Sequence, residues 1–248
     1  EQNARDYLKK YIDHAIKVSG QPKVIIIAHS MGGLVARSYI QSDYYQDDVA
    51  KFAMVGTPNQ GSVLPYYIYE GGDVIGADYV TNGLAITNVK RYFYTHSIAK
   101  FYKQKTGKDI CSNIPFFGKE VIELLDGTTS FIPAKPSCER FTVYKFVRDQ
   151  VPGLKDLLPT YTTAIINPAS GPVNYPVNQF LINLNSNYDI LKQTSTSLAT
   201  RLFVGIEETN TTLKTILVVP NPNDPLYQSY GYPQYEYPVR SPGDGTVA

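Results

Sequence analysis

Apolar residues at Ala4, Tyr7, Leu8, Tyr11, Ile12, Ala15 and Ile16 follow the i, i+3, i+4 spacing of an amphipathic helix, which Gly20 closes. Pro22 leads into Val24-Ile25-Ile26-Ile27-Ala28, a short β-branched run that predicts a strand buried on both faces, as in the middle of a parallel sheet. Gly32 and Gly33 then mark a turn, helical spacing resumes over Leu34 to Tyr45, and Val49 to Val55 predicts a second strand ended by Gly56-Thr57-Pro58. Helix, strand, helix, strand is the rhythm of an α/β fold. From Ser62 to about Thr200 that rhythm is lost. Helical patches at Ser97 to Lys105, Lys119 to Leu125 and Asn178 to Leu191 stand between stretches of Pro, Gly, Asn and Tyr. Strands are predicted again at Leu202 to Ile206 and Leu213 to Val219, around a polar turn at Glu208 to Thr212, and the tail from Pro220 reads as an extended loop.

No repeat and no low-complexity linker divides the chain, so the simplest organisation is one α/β core with an insertion. Residues 1–61 form the first half of the core, 62–200 the insertion and 201–248 the second half. The chain opens inside a helical pattern and stops just after Asp244, which reads as a segment of a longer protein. Its 248 residues, 43% hydrophobic, are enough to bury a core. Twenty-three Lys and Arg balance twenty-two Asp and Glu, which leaves no electrostatic footprint for nucleic acid. The longest aliphatic run is far short of the roughly 20 residues a bilayer span needs. Lys100, Lys103, Lys105 and Lys108 read as a solvated face.

Cys111 and Cys138 fit no metal-site spacing, and no metal or other cofactor is expected. Bridged, they would close a loop of about 27 residues; unbridged, they are two free thiols, and both readings stay open. With the glycosylation-type triplet Asn210-Thr211-Thr212 they lean towards an extracytoplasmic or secreted setting.

The chemistry concentrates at Ala28-His29-Ser30-Met31-Gly32, between the first strand and the second helix. A serine there can sit on a sharp strand-to-helix turn that pushes its hydroxyl out at the carboxyl edge of the sheet. Small residues two before and two after it, Ala28 and Gly32, keep such a turn free of clashes. The backbone N–H of Met31 then points where an oxyanion would form. The competing structural reading is a plain turn in which Ser30 caps the helix. His29 is read as shaping the elbow rather than as a base.

The stretch from Val24 to Arg37 resembles the nucleophile elbow of α/β-hydrolase lipases, and Gly56-Thr57-Pro58-Asn59-Gln60-Gly61-Ser62 is similar to the loop after the next strand in those enzymes. A His often stands at the Asn59 position there, so this chain departs slightly. Leu154 to Pro159 and Gly243-Asp244-Gly245-Thr246-Val247 narrow the resemblance to the branch of lecithin:cholesterol acyltransferase, lysosomal phospholipase A2 and their bacterial relatives. It implies a partial α/β-hydrolase fold, mostly parallel sheet, with a large cap insertion and truncated at both ends. It also implies Ser30 as nucleophile and Asp244 as the catalytic acid. Independently, a carboxylate in a Gly-flanked loop after a strand can orient an imidazole, although Asp-Gly pairs also simply make turns.

A serine needs a base, and the chain order in this fold is Ser, acid, His. No His follows Asp244, so the base is expected beyond Ala248. Of the three present, His14 lies on the polar side of the first helix, His29 adjoins Ser30, and His96, in the insertion, is an unconventional alternative. The insertion would form a cap, with Ile98, Phe101 and Tyr102 either lining an acyl pocket or filling the cap's own core. An apolar cap of balanced charge suits an acyl ester or lipid, taken up with transient contact to a membrane or lipid surface. The expected activity is a serine esterase, lipase or acyltransferase; amide cleavage by the same groups is a neighbouring possibility. The reading from another class is a catalytically silent binding or surface protein that has lost its base. A dinucleotide-binding domain is set aside, since Ala28 to Gly33 lacks the G-x-G-x-x-G spacing.

Overall fold

Parallel strands need crossovers, and the first crossover in this chain is the helix that carries the serine. The computed structural model describes residues 4–73, 100–107, 138–193, 199–205, 207–220, 226–227, 229–234 and 239–243. After a π-helical turn at Ala4–Leu8 come α1 (Lys9–Ser19), β1 (Val24–His29), α2 (Met31–Ile40) and β2 (Val49–Val55). Gly20 ends α1 in the left-handed conformation, φ 68°, with its N–H on the Ile16 carbonyl. A third strand, β5 (Ala199–Phe203), returns to this sheet, whose order β1-β2-β5 is parallel throughout. The α/β architecture expected from the sequence is present.

The sheet is covered on one side. Ala28, Phe52 and Met54 point into a core made with Ile12 of α1 and Ala36, Tyr39 and Ile40 of α2. Behind it lies a buried polar knot in which Asp48 accepts from the Tyr39 hydroxyl at 2.7 Å and pairs with Lys9 at 3.2 Å. On the opposite side Ile25 is 62% exposed and Ile27 77%. The expectation of a strand buried on both faces is therefore corrected: α1 and α2 lie on one face, and among the described residues nothing covers the other.

The remaining elements lie outside this sheet. These are α3 (Pro65–Gly71), α4 (residues 100–106), α5 (Cys138–Gln150), a 3-10 helix (Pro152–Leu157), β3 (Ile165–Asn167), β4 (Gly171–Pro172), α6 (Gln179–Ser186) and α7 (Tyr188–Gln193). The predicted helix over Asn178 to Leu191 is thus two helices, with the Asn178 side chain capping α6 through the Leu181 N–H. The patch at Lys119 to Leu125 lies outside the described residues. So do Cys111, His96 and Ile98. Phe101 is exposed and Tyr102 buried.

A second sheet runs β4-β3-β6-β7, where β6 is Glu207–Val219, β7 is Tyr232–Pro233, and β8 (Val239–Gly243) also pairs with β6. The polar turn expected at Glu208 to Thr212 is instead part of continuous β6. Pairing with β8 holds the stretch at both ends, Glu207 opposite Gly243 and Thr212 opposite Ser241, with an irregular register between them, and β-branched threonines suit a strand. The tail from Pro220 likewise contributes β7 and β8 rather than only loop. This sheet packs on α3 through Tyr66, Tyr67, Ile165, Ile216, Val218 and Tyr227.

Glu70 on α3 is buried there. Its carboxylate accepts from the Tyr175 hydroxyl at 2.8 Å and pairs with Arg148 of α5 at 3.0 Å. The Arg148 guanidinium lies 4.3 Å from the Tyr69 ring centroid and 4.4 Å from that of Tyr144. Burial raises the Glu70 carboxyl above its ordinary value, against the opposing pull of Tyr175 and Arg148. The native state thus holds a proton on Glu70 over a pH range in which the unfolded chain does not. Its contribution to stability is present below the ordinary value of 4.5 and is lost as pH rises through the raised native value. Glu70→Gln cannot titrate. Urea unfolding at stepped pH should show wild type gaining stability relative to Glu70→Gln as the pH falls from neutrality; a constant difference would remove Glu70 from the acid dependence.

Candidate active site

A strand that ends against a parallel neighbour must turn sharply for its helix to pack back on the same sheet. Ser30 makes that turn with φ 52° and ψ −130°, a conformation that L residues other than glycine rarely adopt. Strain of this kind costs about 1–3 kcal/mol and persists only where the surroundings over-determine it. Here the Ser30 N–H donates to the Val55 carbonyl at 2.9 Å, and the Gly33 N–H donates to the Ser30 carbonyl at 3.0 Å. The Ser30 side chain makes no capping hydrogen bond, so the plain-cap reading does not describe it.

Met31 opens α2 and is exposed. First-turn N–H groups of a helix have no acceptor within the helix, which leaves the Met31 N–H available beside Ser30. His29 ends β1 on the uncovered face and is exposed. Gly32 is exposed, and a Cβ there would lie 3.8 Å from the Ala28 Cβ, an ordinary contact. Smallness matters more one residue later. A Cβ on Gly33 would overlap the side chain of Thr57, from the loop after β2. Thr57 is buried, and its hydroxyl has no hydrogen-bond partner among the described residues.

β1, β2 and β5 are parallel, so their carboxyl ends meet at this edge, where open α/β sheets characteristically bind ligands. The Gly56 N–H donates to the Phe203 carbonyl at 3.1 Å, joining the loop after β2 to the end of β5. Farther along, Gly61 at φ 80° lies so close to the Leu158 carbonyl that no Cβ fits. The Ser62 N–H donates to the Leu157 carbonyl at 2.8 Å. The two segments singled out in the sequence, Gly56 to Ser62 and Leu154 to Pro159, are thereby in contact.

Asp244 lies outside the described residues; Gly243, just before it, pairs with Glu207 in β6. His14 is exposed on α1, and among the described residues neither it nor His29 hydrogen-bonds Ser30. The sequence pattern assigns Gly33 only to a turn, whereas it lies within α2, and singles out neither Thr57 nor Arg37. The Gly-Gly pair after Ser30 was the visible signal for Gly33, but nothing in the sequence pairs it with Thr57.

Ser30→Gly should raise stability by about 1 kcal/mol in urea unfolding. Relief of backbone strain outweighs the extra unfolded-state entropy of glycine, about 0.4–1 kcal/mol. A loss of stability would mean the turn is not strained. Gly33→Ala should destabilise by about 1–3 kcal/mol through overpacking, and Thr57→Ala should recover part of that loss. Strictly additive effects would show that the Thr57 contact is not what excludes a side chain.

A family model described as lecithin:cholesterol acyltransferase matches residues 1–221, and the chain belongs to that family. No curated protein and no solved structure matches it. Membership places the chain in a lipid acyltransferase or esterase class.

Proposed function

We propose, from membership of the lecithin:cholesterol acyltransferase family, that this chain carries a serine-dependent ester hydrolase or acyltransferase site for lipid-like acyl esters, working through an acyl-enzyme. The observation that carries the reading is Ser30 itself, held at positive φ on the β1–α2 turn with its hydroxyl not spent on capping. Backbone strain clusters at functional sites because a merely structural turn would be better served by glycine.

In this reading the Ser30 Oγ attacks the ester carbonyl while a histidine takes its proton, and the Met31 N–H donates to the developing oxyanion. The tetrahedral intermediate collapses, the alcohol leaves with the proton returned by the histidine, and the acyl group stays on Ser30. Water or an acceptor alcohol, deprotonated by the same histidine, then attacks the acyl-enzyme and restores the serine. Asp244 orients that histidine, which by the family's chain order follows it; His96 is the alternative base within the chain. Residues 62–200 act as a cap. Because lipid esters aggregate, uptake of the substrate involves transient contact with a lipid surface. The sequon-like Asn210-Thr211-Thr212 and the Cys111–Cys138 pair favour an extracytoplasmic or secreted setting.

Labelling of the full-length protein with a fluorophosphonate tests the reading. Wild type should label, and Ser30→Ala should lose at least 99% of the signal while remaining folded. Labelling that survives Ser30→Ala would place the reactive group elsewhere and overturn Ser30 as nucleophile, and a folded wild type that does not label would support a silent binding protein instead. A specific loss with His96→Asn would move the base into the insertion.

A further inference from the structure

Arg37 lies seven residues after Ser30 on α2, about two turns and 10 Å along the helix, and it is completely buried. A buried guanidinium ordinarily faces a carboxylate. None is paired with it among the described residues. Instead its Nε donates to the Gln41 side-chain oxygen at 3.0 Å, one nitrogen of its fork to the Asn59 side-chain oxygen at 2.6 Å, and the other to the Leu184 carbonyl at 2.8 Å. The Tyr188 ring centroid is 5.4 Å away. Burial pulls the guanidinium down to about 10, still charged at neutral pH, with Tyr188 opposing the shift.

The physical reason a lone cation is tolerated here is the end of α6. Leu184 is in its last turn, where carbonyls lack partners within the helix and carry the negative end of its dipole. Gln41 adds to the junction by donating from its amide to both the Leu184 and Asn187 carbonyls, each at 2.8 Å. Asn185 donates from its side chain to the Asn59 carbonyl at 2.7 Å. Asn59 is therefore gripped twice, once from the nucleophile helix and once from α6. It stands two residues after Thr57, which presses on Gly33, and two before Gly61, which is wedged against Leu158. Leu34, Leu181 and Leu184 pack together beside this junction.

We propose that Arg37 is a positioning residue: by binding Asn59 and the end of α6 at once, it fixes the loop from Gly56 to Ser62 and α6 against the nucleophile helix and so sets the wall beside Ser30. Arg37 touches no substrate in this scheme, being fully buried. Its fork is what the role requires, since three acceptors on three segments lie in directions that a lysine ammonium on a flexible stem cannot meet together. The inference rests on the esterase or acyltransferase reading of Ser30.

The test uses the full-length protein with p-nitrophenyl butyrate as substrate, and with fluorophosphonate titration to count competent sites. Asn59→Ala and Arg37→Lys should each lower kcat per titrated site about tenfold or more, with KM changed by less than about threefold. Asn59→Asp, which keeps an acceptor for Arg37, should restore kcat to within about threefold of wild type. The double variant Arg37→Lys with Asn59→Ala should be about as slow as the worse single one, because both break one contact. Unchanged kcat per titrated site alongside a lowered Tm would reduce the junction to packing and overturn the proposal. So would multiplicative effects in the double variant. If Arg37→Lys does not fold, Asn59→Ala and its Asp counterpart decide alone. A wild type that titrates no serine would sink the nucleophile reading and this proposal with it; a wild type that titrates normally beside unaffected variants sinks only the proposal.

Discussion

The turn at Ser30 is the constraint on which the rest of this site depends. A serine at φ 52° and ψ −130° stores strain that its own side chain does nothing to relieve, so the neighbours must hold it. They do so from three directions. The Val55 carbonyl ties the turn to the next parallel strand, Gly33 lets Thr57 approach the start of α2, and α2 itself is sealed to the sheet by Ala36, Tyr39 and Ile40. The strain is thus supported by the sheet's parallel register: a one-residue slip of β2 against β1 would move Val55 and the loop after it away from the serine.

Three of the buried charged groups among the described residues, Asp48, Glu70 and Arg37, each join separate elements. Asp48 links the start of β2 to Tyr39 on α2 and Lys9 on α1. The Lys9 ammonium is disfavoured by burial, yet its hydrogen bonds to Asp13 and Asp48 outweigh that and hold it above its ordinary value. Glu70 links α3 to Arg148 on α5 and to Tyr175. Arg37 differs from both, because its partners are amides and a helix end rather than an opposite charge. An uncompensated cation is expensive to bury, and three directed hydrogen bonds make its position highly specific. That specificity falls on the loop adjoining Ser30.

Two groups of elements meet at the loop from Gly56 to Ser62. The parallel sheet β1-β2-β5 supplies the serine and the carboxyl edge, while α6 bonds the Asn59 carbonyl and the segment around Leu158 packs against Gly61. Both contacts on that loop come from residues more than ninety positions later in the chain. The loop is therefore shaped by Leu157, Leu158 and Asn185 as much as by the strand that precedes it.

The local pattern alone determined the alternation of α1, β1, α2 and β2 and the placement of Ser30 at a strand-to-helix junction. Each depends on short-range periodicity and on residues adjacent in sequence, such as the β-branched run from Val24 and the glycines after Ser30. The sequence also carried the family resemblance, through motifs at Ser30, Gly56 to Ser62 and Leu154 to Pro159. Only the tertiary structure decided the rest. Ile25 and Ile27 have the same chemistry as Ile26, yet the helices lie on one side of the sheet and leave them exposed. Glu208 to Thr212 has the composition of a turn, but it lies within β6, whose pairing with the strand from Val239 flanks it at Glu207 and Thr212 across an irregular register. The Thr57 contact with Gly33 and the grip of Arg37 on Asn59 and Leu184 join segments that no periodicity relates. A hydrogen bond spanning 22 or 147 positions leaves no imprint on the local pattern, because it is set by how helices and strands pack and not by what stands next to what.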